Sequence, residues 1–433
     1  MAAHPHTRVA ALLVALLSAS LLTVLLGAPT DDAQAKKRRV AGLAGVAGID
    51  DARPVGRCPR GTVARVSKRT KRLSTLKRKR LLRAKAGKRR ARARASSRRR
   101  CVKAPARVAA QPGGPIYWGA WIGSHLTGTE APWDMGAVRK FEAMAGKPVS
   151  LINFSSPFAD CSRQPCSYYR FPRAEMERIR AHGAIPFFSW GSQSTPARLD
   201  QPDFQLSDVI EGRHDAYIRE WAEAARDWGK PFFLRFNWEM NGDWFAWVEG
   251  VNGNRPGEYV TAWRHVHDIF TEVGATNATW VWCPNVDPHG KLKDLSSLYP
   301  GDAYVDWTGL DGYNWGTNPA SPKGWMSFNQ LFRSTYDRIV GSIAPGKPLV
   351  VSEFGSSEHG GSKAAWIADA LRSAATEYPL LRGLVWFEKY DDGMDWPLAT
   401  SAAAASAFAA GIAADAFLGA GFGSLAGGPV APV

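Results

Sequence analysis

Hydrophobic and polar positions alternate in blocks from residue 116 onward. Short apolar runs at 116–122, 149–154, 184–190, 232–236, 278–283, 305–310, 348–352 and 383–387 are rich in Val, Ile, Phe and Trp, the residue types that suit buried strands. Between them lie longer stretches, at 208–228, 258–273, 325–343 and 363–377, whose apolar residues recur at helical spacing. Strands alternating with helices predict a parallel sheet of the α/β class. Eight such units in roughly 280 residues fit a closed (β/α)8 TIM barrel better than an open sheet. The turn-rich QPGGP at 111–115 marks its start, and the barrel is expected over 114–412.

In such barrels the chemistry gathers at the C-terminal ends of the strands. The fourth run continues as FFLRFNWEMNGDWFAW, 232–247, and breaks at Asn237 into a polar and aromatic cluster centred on Glu239. Trp238, Met240 and Trp244 would partly desolvate that carboxyl and raise its pKa toward the range useful to a general acid. The seventh run, KPLVVSEFG at 347–355, ends on a second acid, Glu353. Both glutamates are thus expected at one mouth. Paired carboxyls suit glycoside hydrolysis, in which one protonates the leaving oxygen while the other attacks the sugar carbon, about 5–5.5 Å away.

Trp is abundant, 18 of 433 residues. Trp118, Trp121, Trp190, Trp244, Trp247, Tyr313, Trp315 and Trp386 fall at or just past strand ends, where aromatic faces could carry sugar rings, with core packing the alternative for each. Asn285, Asp311 and His125 could reach the same mouth or serve as turn formers.

Composition alters the picture only at the two ends. His4, His6 and Arg8 precede an uncharged run at 9–28, and Ala33, Gln34 and Ala35 form a small-x-small site, so 1–35 is expected to be a secretory signal peptide cleaved after Ala35. The run is also long enough to serve as a retained anchor. Residues 36–107 hold 28 Lys and Arg against Asp50 and Asp51. Of the total charge of +16, this segment carries +26 and residues 108–433 carry −9. The basic character therefore belongs to the segment 36–113 and not to the barrel. Its runs lack interleaved aromatics, so no nucleic-acid partner is expected. It is read either as a solvated spacer or as an adhesive for an anionic cell-wall polymer. Cys58 and Cys101 bracket it and could be bridged, and Cys161 and Cys166 could close a small loop in an oxidising compartment. Cys283 has no partner at metal-ligand spacing and is read as a small buried residue. No cofactor or metal is expected, and the chain is expected to be monomeric. SAAAASAFAAGIAA, from Ser401, is the expected last barrel helix, and 413–433 a Gly, Ala and Pro-rich tail expected to be disordered after Phe417.

Five motifs carry a resemblance. RFNWEMNGDWFAW, VWCPN, YVDWTGLDGYNW, VVSEFG and GLVWFE, in that order and spacing, resemble glycoside hydrolase family 26, over about 114–412. The resemblance implies a retaining endo-hydrolase, with Glu239 as acid/base and Glu353 as nucleophile. It also implies that Arg235 and Tyr313 support the nucleophile and that Trp386 lies under the sugar at the cleavage point. Trp238 departs from the pattern, since the family has His there. The substrate implied first is β-1,4-mannan, with mixed-linkage β-glucan, β-1,3-xylan or a purely glycan-binding role as alternatives.

Overall fold

A computed structural model describes residues 113–318 and 324–433, together with two short strands, Thr62–Arg65 and Arg100–Lys103, that pair antiparallel. The chain divides into two units, Met1–Pro105 and Ala106–Val433. The expected signal peptide, nearly all of the basic segment and the Cys58–Cys101 bridge lie outside the described residues.

The second unit is built on eight parallel strands: β1 (Ile116–Ile122), β2 (Leu151–Asp160), β3 (Ile185–Thr195), β4 (Phe232–Phe236), β5 (Ala278–Trp282), β6 (Trp307–Asn314), β7 (Leu349–Ser356) and β8 (Leu381–Glu388). Each pairs with the next, and β8 pairs with β1, which closes the barrel. Strands β1, β4 and β5 are buried along their whole length. That is the reason they read as continuous apolar runs, since a barrel strand is covered on both faces. At the β1–β2 seam, a Cβ on Gly119 would stand 1.9 Å from the Leu151 carbonyl oxygen, so only glycine allows the two strands to meet.

Among the described residues, seven longer helices form the outer layer: α1 (Met135–Ala145), α2 (Arg173–Ala181), α3 (Asp215–Trp228), α4 (Glu258–Val273), α5 (Phe328–Arg338), α6 (Lys363–Glu377) and α7 (Ala402–Ile412). Each lays one stripe on the barrel; in α3 the stripe is Ile218, Trp221, Ala222, Ala225 and Trp228. The helix expected over 208–228 is interrupted, a separate five-residue helix at Leu206–Ile210 preceding α3. Helix α5 begins later than its apolar pattern because Ser327 and Gln330 form a capping box there.

The C-terminal tail corrects the sequence reading. Instead of being disordered, it runs across the N-terminal end of the barrel, where Phe417–Leu418 adds a short strand beside β1. The Gly421 and Phe422 amides donate to the Gly183 carbonyl, Val430 N–H donates to Thr279 Oγ1, and the Val430 carbonyl accepts the Trp307 indole N–H. Phe422 packs on Tyr117, whose ring meets Phe233 and Trp307 inside the barrel. Low-complexity composition predicts disorder where no apolar surface is buried, and here Val430 and Phe417 are buried. Cys161 and Cys166 form a disulfide. Among the described residues no helix is long and apolar enough to cross a membrane.

Candidate active site

At the C-terminal end of the barrel lies a cleft of about 820 Å³. Glu239 and Glu353 both line it, with Trp238, Trp244, Asn285, Tyr313, Trp315, Phe387 and Trp396 among their neighbours.

Glu353 lies in β7 beside Asp311 of β6. One oxygen accepts from Arg235 Nη2 and the other from the Tyr313 hydroxyl. The guanidinium is itself fully buried. Its Nη1 donates to both oxygens of Asp311, at 2.9 and 2.8 Å, and its Nε to Ser189 Oγ at 2.9 Å. Trp238 covers its face, with the ring centroid 5.0 Å from the guanidinium carbon. Cys283 is unbridged and buried, as read from its spacing, but it is not merely apolar filler: its Sγ lies 3.2 Å from Asp311 Oδ1 and 3.4 Å from Ser352 Oγ. The two oxygens of Glu353 are therefore aimed by two donors.

Glu239 sits just past β4, where the backbone is strained. Asn237 and Glu239 both have positive φ, 44° and 53°, a conformation that costs a non-glycine residue energy and persists only when neighbours enforce it. Enforcement comes from the Asn237 side chain, which bonds the Ser192 backbone and hydroxyl, and from Glu239 N–H, which donates to the Cys283 carbonyl at 2.7 Å. The carboxyl accepts from Trp244 Nε1 at 2.5 Å and from Asn285 Nδ2 at 2.7 Å. Burial foremost, then the charge of Glu353, push the Glu239 pKa up to about 7, against the lowering effect of the Trp244 and Asn285 donors. The nearby Arg235 guanidinium lowers it as well, but less than burial and Glu353 raise it.

The sequence-predicted residues divide cleanly. Arg235, Trp238, Trp244, Tyr313 and Asn285 converge on the two carboxyls, although Trp244 and Asn285 hold Glu239 as well as line the cleft. Trp386 and Trp190 do not reach it. Trp386 faces the helical layer against Phe354 and Phe408, its indole N–H donating to Glu388, and Trp190 stacks on Trp221 at 4.6 Å beneath α3. Successive strand residues face opposite sides, so the neighbour Phe387 is the one that lines the cleft. His125 stands apart from the lining as well; its Nε2 is 3.3 Å from Glu388 and its ring meets Tyr390. Sequence reasoning missed Trp396, which packs on Tyr313 and Trp315. A Trp in DDGMDW, soon after the eighth strand, was the available signal. Among the described residues no cluster of side chains could hold a metal ion.

Two carboxyls at one barrel mouth, one with its pKa pushed up to about 7 and one bonded by a guanidinium and a phenol, have the equipment of a glycoside hydrolase. The sequence model of Glycosyl hydrolase family 26 matches residues 124–354, a span that contains both glutamates. Endoglucanase H of Acetivibrio thermocellus is 33% identical over 302 residues, covering 68% of this chain and 30% of its own length. A mannan endo-1,4-beta-mannosidase of Bacillus subtilis (strain 168) is 29% identical over 163 residues, 35% of this chain and 43% of its own. The chain thus spans less than half the length of these curated relatives. In fold it is similar to the solved Cellulomonas fimi endo-beta-1,4-mannanase double mutant, with a TM-score of 0.54 at 20% identity over 74% of this chain and 76% of that one. With the family model covering more than half of its length, the chain belongs to glycosyl hydrolase family 26.

Proposed function

We propose that the barrel is a retaining, endo-acting hydrolase of β-linked polysaccharide, with Glu239 as acid/base and Glu353 as nucleophile. The observation that carries the reading is the contrast between the two carboxyls. Glu353 is tethered by Arg235 and Tyr313, and Glu239 is held up to about 7 in the same cleft. In the first step Glu353 attacks the anomeric carbon while Glu239 gives its proton to the departing glycosidic oxygen. In the second, Glu239 takes a proton from water, which displaces Glu353 and restores both groups.

For the substrate we take β-1,4-mannan, the class named for the Bacillus subtilis relative. A second reading, β-glucan, is favoured by the long match to an endoglucanase and by Trp238. Where the family has His, Trp238 offers no ring nitrogen to accept from a sugar hydroxyl, and its face is spent on Arg235. Export, by way of residues 1–35, is supported by the Cys161–Cys166 disulfide. Adhesion to an anionic wall polymer is supported by the charge of residues 36–107. Reducing ends released from soluble β-mannan, mixed-linkage β-glucan and β-1,3-xylan test the reading. Release from one of the three, abolished by Glu353→Gln, is expected; release from none would leave a glycan-binding barrel.

A further inference from the structure

Lys363 is out of place by two ordinary rules. It is the first residue of α6, where a cation opposes the helix dipole, and its side chain is wholly buried, which lysine rarely tolerates without partners. The partners are four oxygens of the segment that follows β8. Nζ donates to the carbonyls of Asp395 at 2.5 Å, Trp396 at 2.9 Å and Pro397 at 2.9 Å, and reaches Thr400 Oγ1 at 3.0 Å. Three carbonyls converging on one point would repel one another without a cation among them, and an ammonium group has a donor for each.

What the cation gathers is a wall of the cleft. Trp396 lies between two of the caged carbonyls. Its ring packs on Tyr313 at 4.9 Å and Trp315 at 5.2 Å, and Tyr313 donates to Glu353. The same segment is tied at Leu398 N–H to Glu388, and Glu358 links the Lys363 amide to Ser401. Asp391 and Asp392, earlier in the segment, also line the cleft. Lys363 thus bonds the backbone on both sides of Trp396 while it makes no hydrogen bond to Glu239 or Glu353.

We propose that Lys363 is a positioning residue for substrate binding, an internal cation that fixes the Trp396 wall of the cleft. The inference rests on the hydrolase reading above.

The test compares wild type, Lys363→Met and Lys363→Ala on the polysaccharide that wild type cleaves, with backbone amide exchange followed over 395–398. Lys363→Met should raise KM about tenfold while kcat falls less than about threefold, because the wall and not the acid/base is displaced. Exchange at 395–398 should quicken. In Lys363→Ala the vacated cage should take ammonium or methylammonium, and millimolar salt of either should restore KM where the same concentration of tetramethylammonium does not. Should Lys363→Met not fold, Thr400→Val, which removes one acceptor, should shift KM and exchange in the same direction by a smaller factor. Unchanged KM and exchange in these variants, or a fall in kcat alone with no rescue by ammonium, would overturn the proposal. If wild type cleaves no glycan, the hydrolase reading fails, and unaltered exchange at 395–398 would still decide against Lys363 independently.

Discussion

Glu239 and Glu353 are coupled through charge: after burial, the Glu353 carboxylate is the largest influence that holds Glu239 up to about 7. The proton affinity of Glu239, the proposed acid/base, is therefore set in part by its partner. Activity that needs a protonated Glu239 should fall as pH rises through about 7, giving the alkaline limb of kcat/KM. Replacing Glu353 by Gln should lower the Glu239 titration, followed by carboxyl carbon NMR, yet leave it above the ordinary 4.5 because burial remains. A Glu239 pKa that does not move in Glu353→Gln would remove the coupling.

The same shift makes Glu239 a liability to stability, in a stated pH window. Its folded pKa lies above its unfolded one, so folding favours the protonated form. Stability is full below about 4.5, declines as pH rises to about 7, and is lowest above that. Glu239→Gln removes the ionisation. It should exceed wild type in urea unfolding at about pH 8 by on the order of 1–3 kcal/mol, with the gain gone at about pH 4. An equal difference at both pH values would point to repacking instead.

Trp386 and Trp396 should separate in their effects. Trp386→Phe shrinks a ring packed against Phe354 and Phe408 and takes a donor from Glu388, so it should cost about 1–3 kcal/mol of stability with KM little changed. Trp396→Ala strips the cleft of a platform and should raise KM about tenfold or more at similar kcat. A KM effect confined to Trp386→Phe would restore that residue to the cleavage point.

The barrel and its two acids were legible because strand burial and strand ends leave local marks. The apolar runs at 116–122 and 232–236 coincide with β1 and β4, and Glu239 and Glu353 stand where those patterns place them. Which way a strand residue faces is not a local mark in a barrel covered on both sides. Trp386 and Phe387 are both apolar, one position apart, and only the closure of β8 on β1 decides which turns inward. Trp190 fails for the same reason. The cage around Lys363 brings together residues 363 and 395–400, and the tail bonds across from 421–430 to 183, 279 and 307. Such contacts depend on the closed fold and leave no periodic trace.

The stereochemistry of the first product formed is the most direct test of the central claim that Glu353 attacks the sugar while Glu239 supplies and then recovers the proton. Proton NMR of the anomeric signals in the first minutes of hydrolysis, before the released sugar mutarotates, reads it. A β-linked substrate should first yield the β-anomer. Glu353→Ala, supplied with azide and an activated aryl β-glycoside, should yield the α-glycosyl azide. An α-anomer released first by the unmodified enzyme would show a single displacement by water and contradict the assignment of Glu353 as nucleophile.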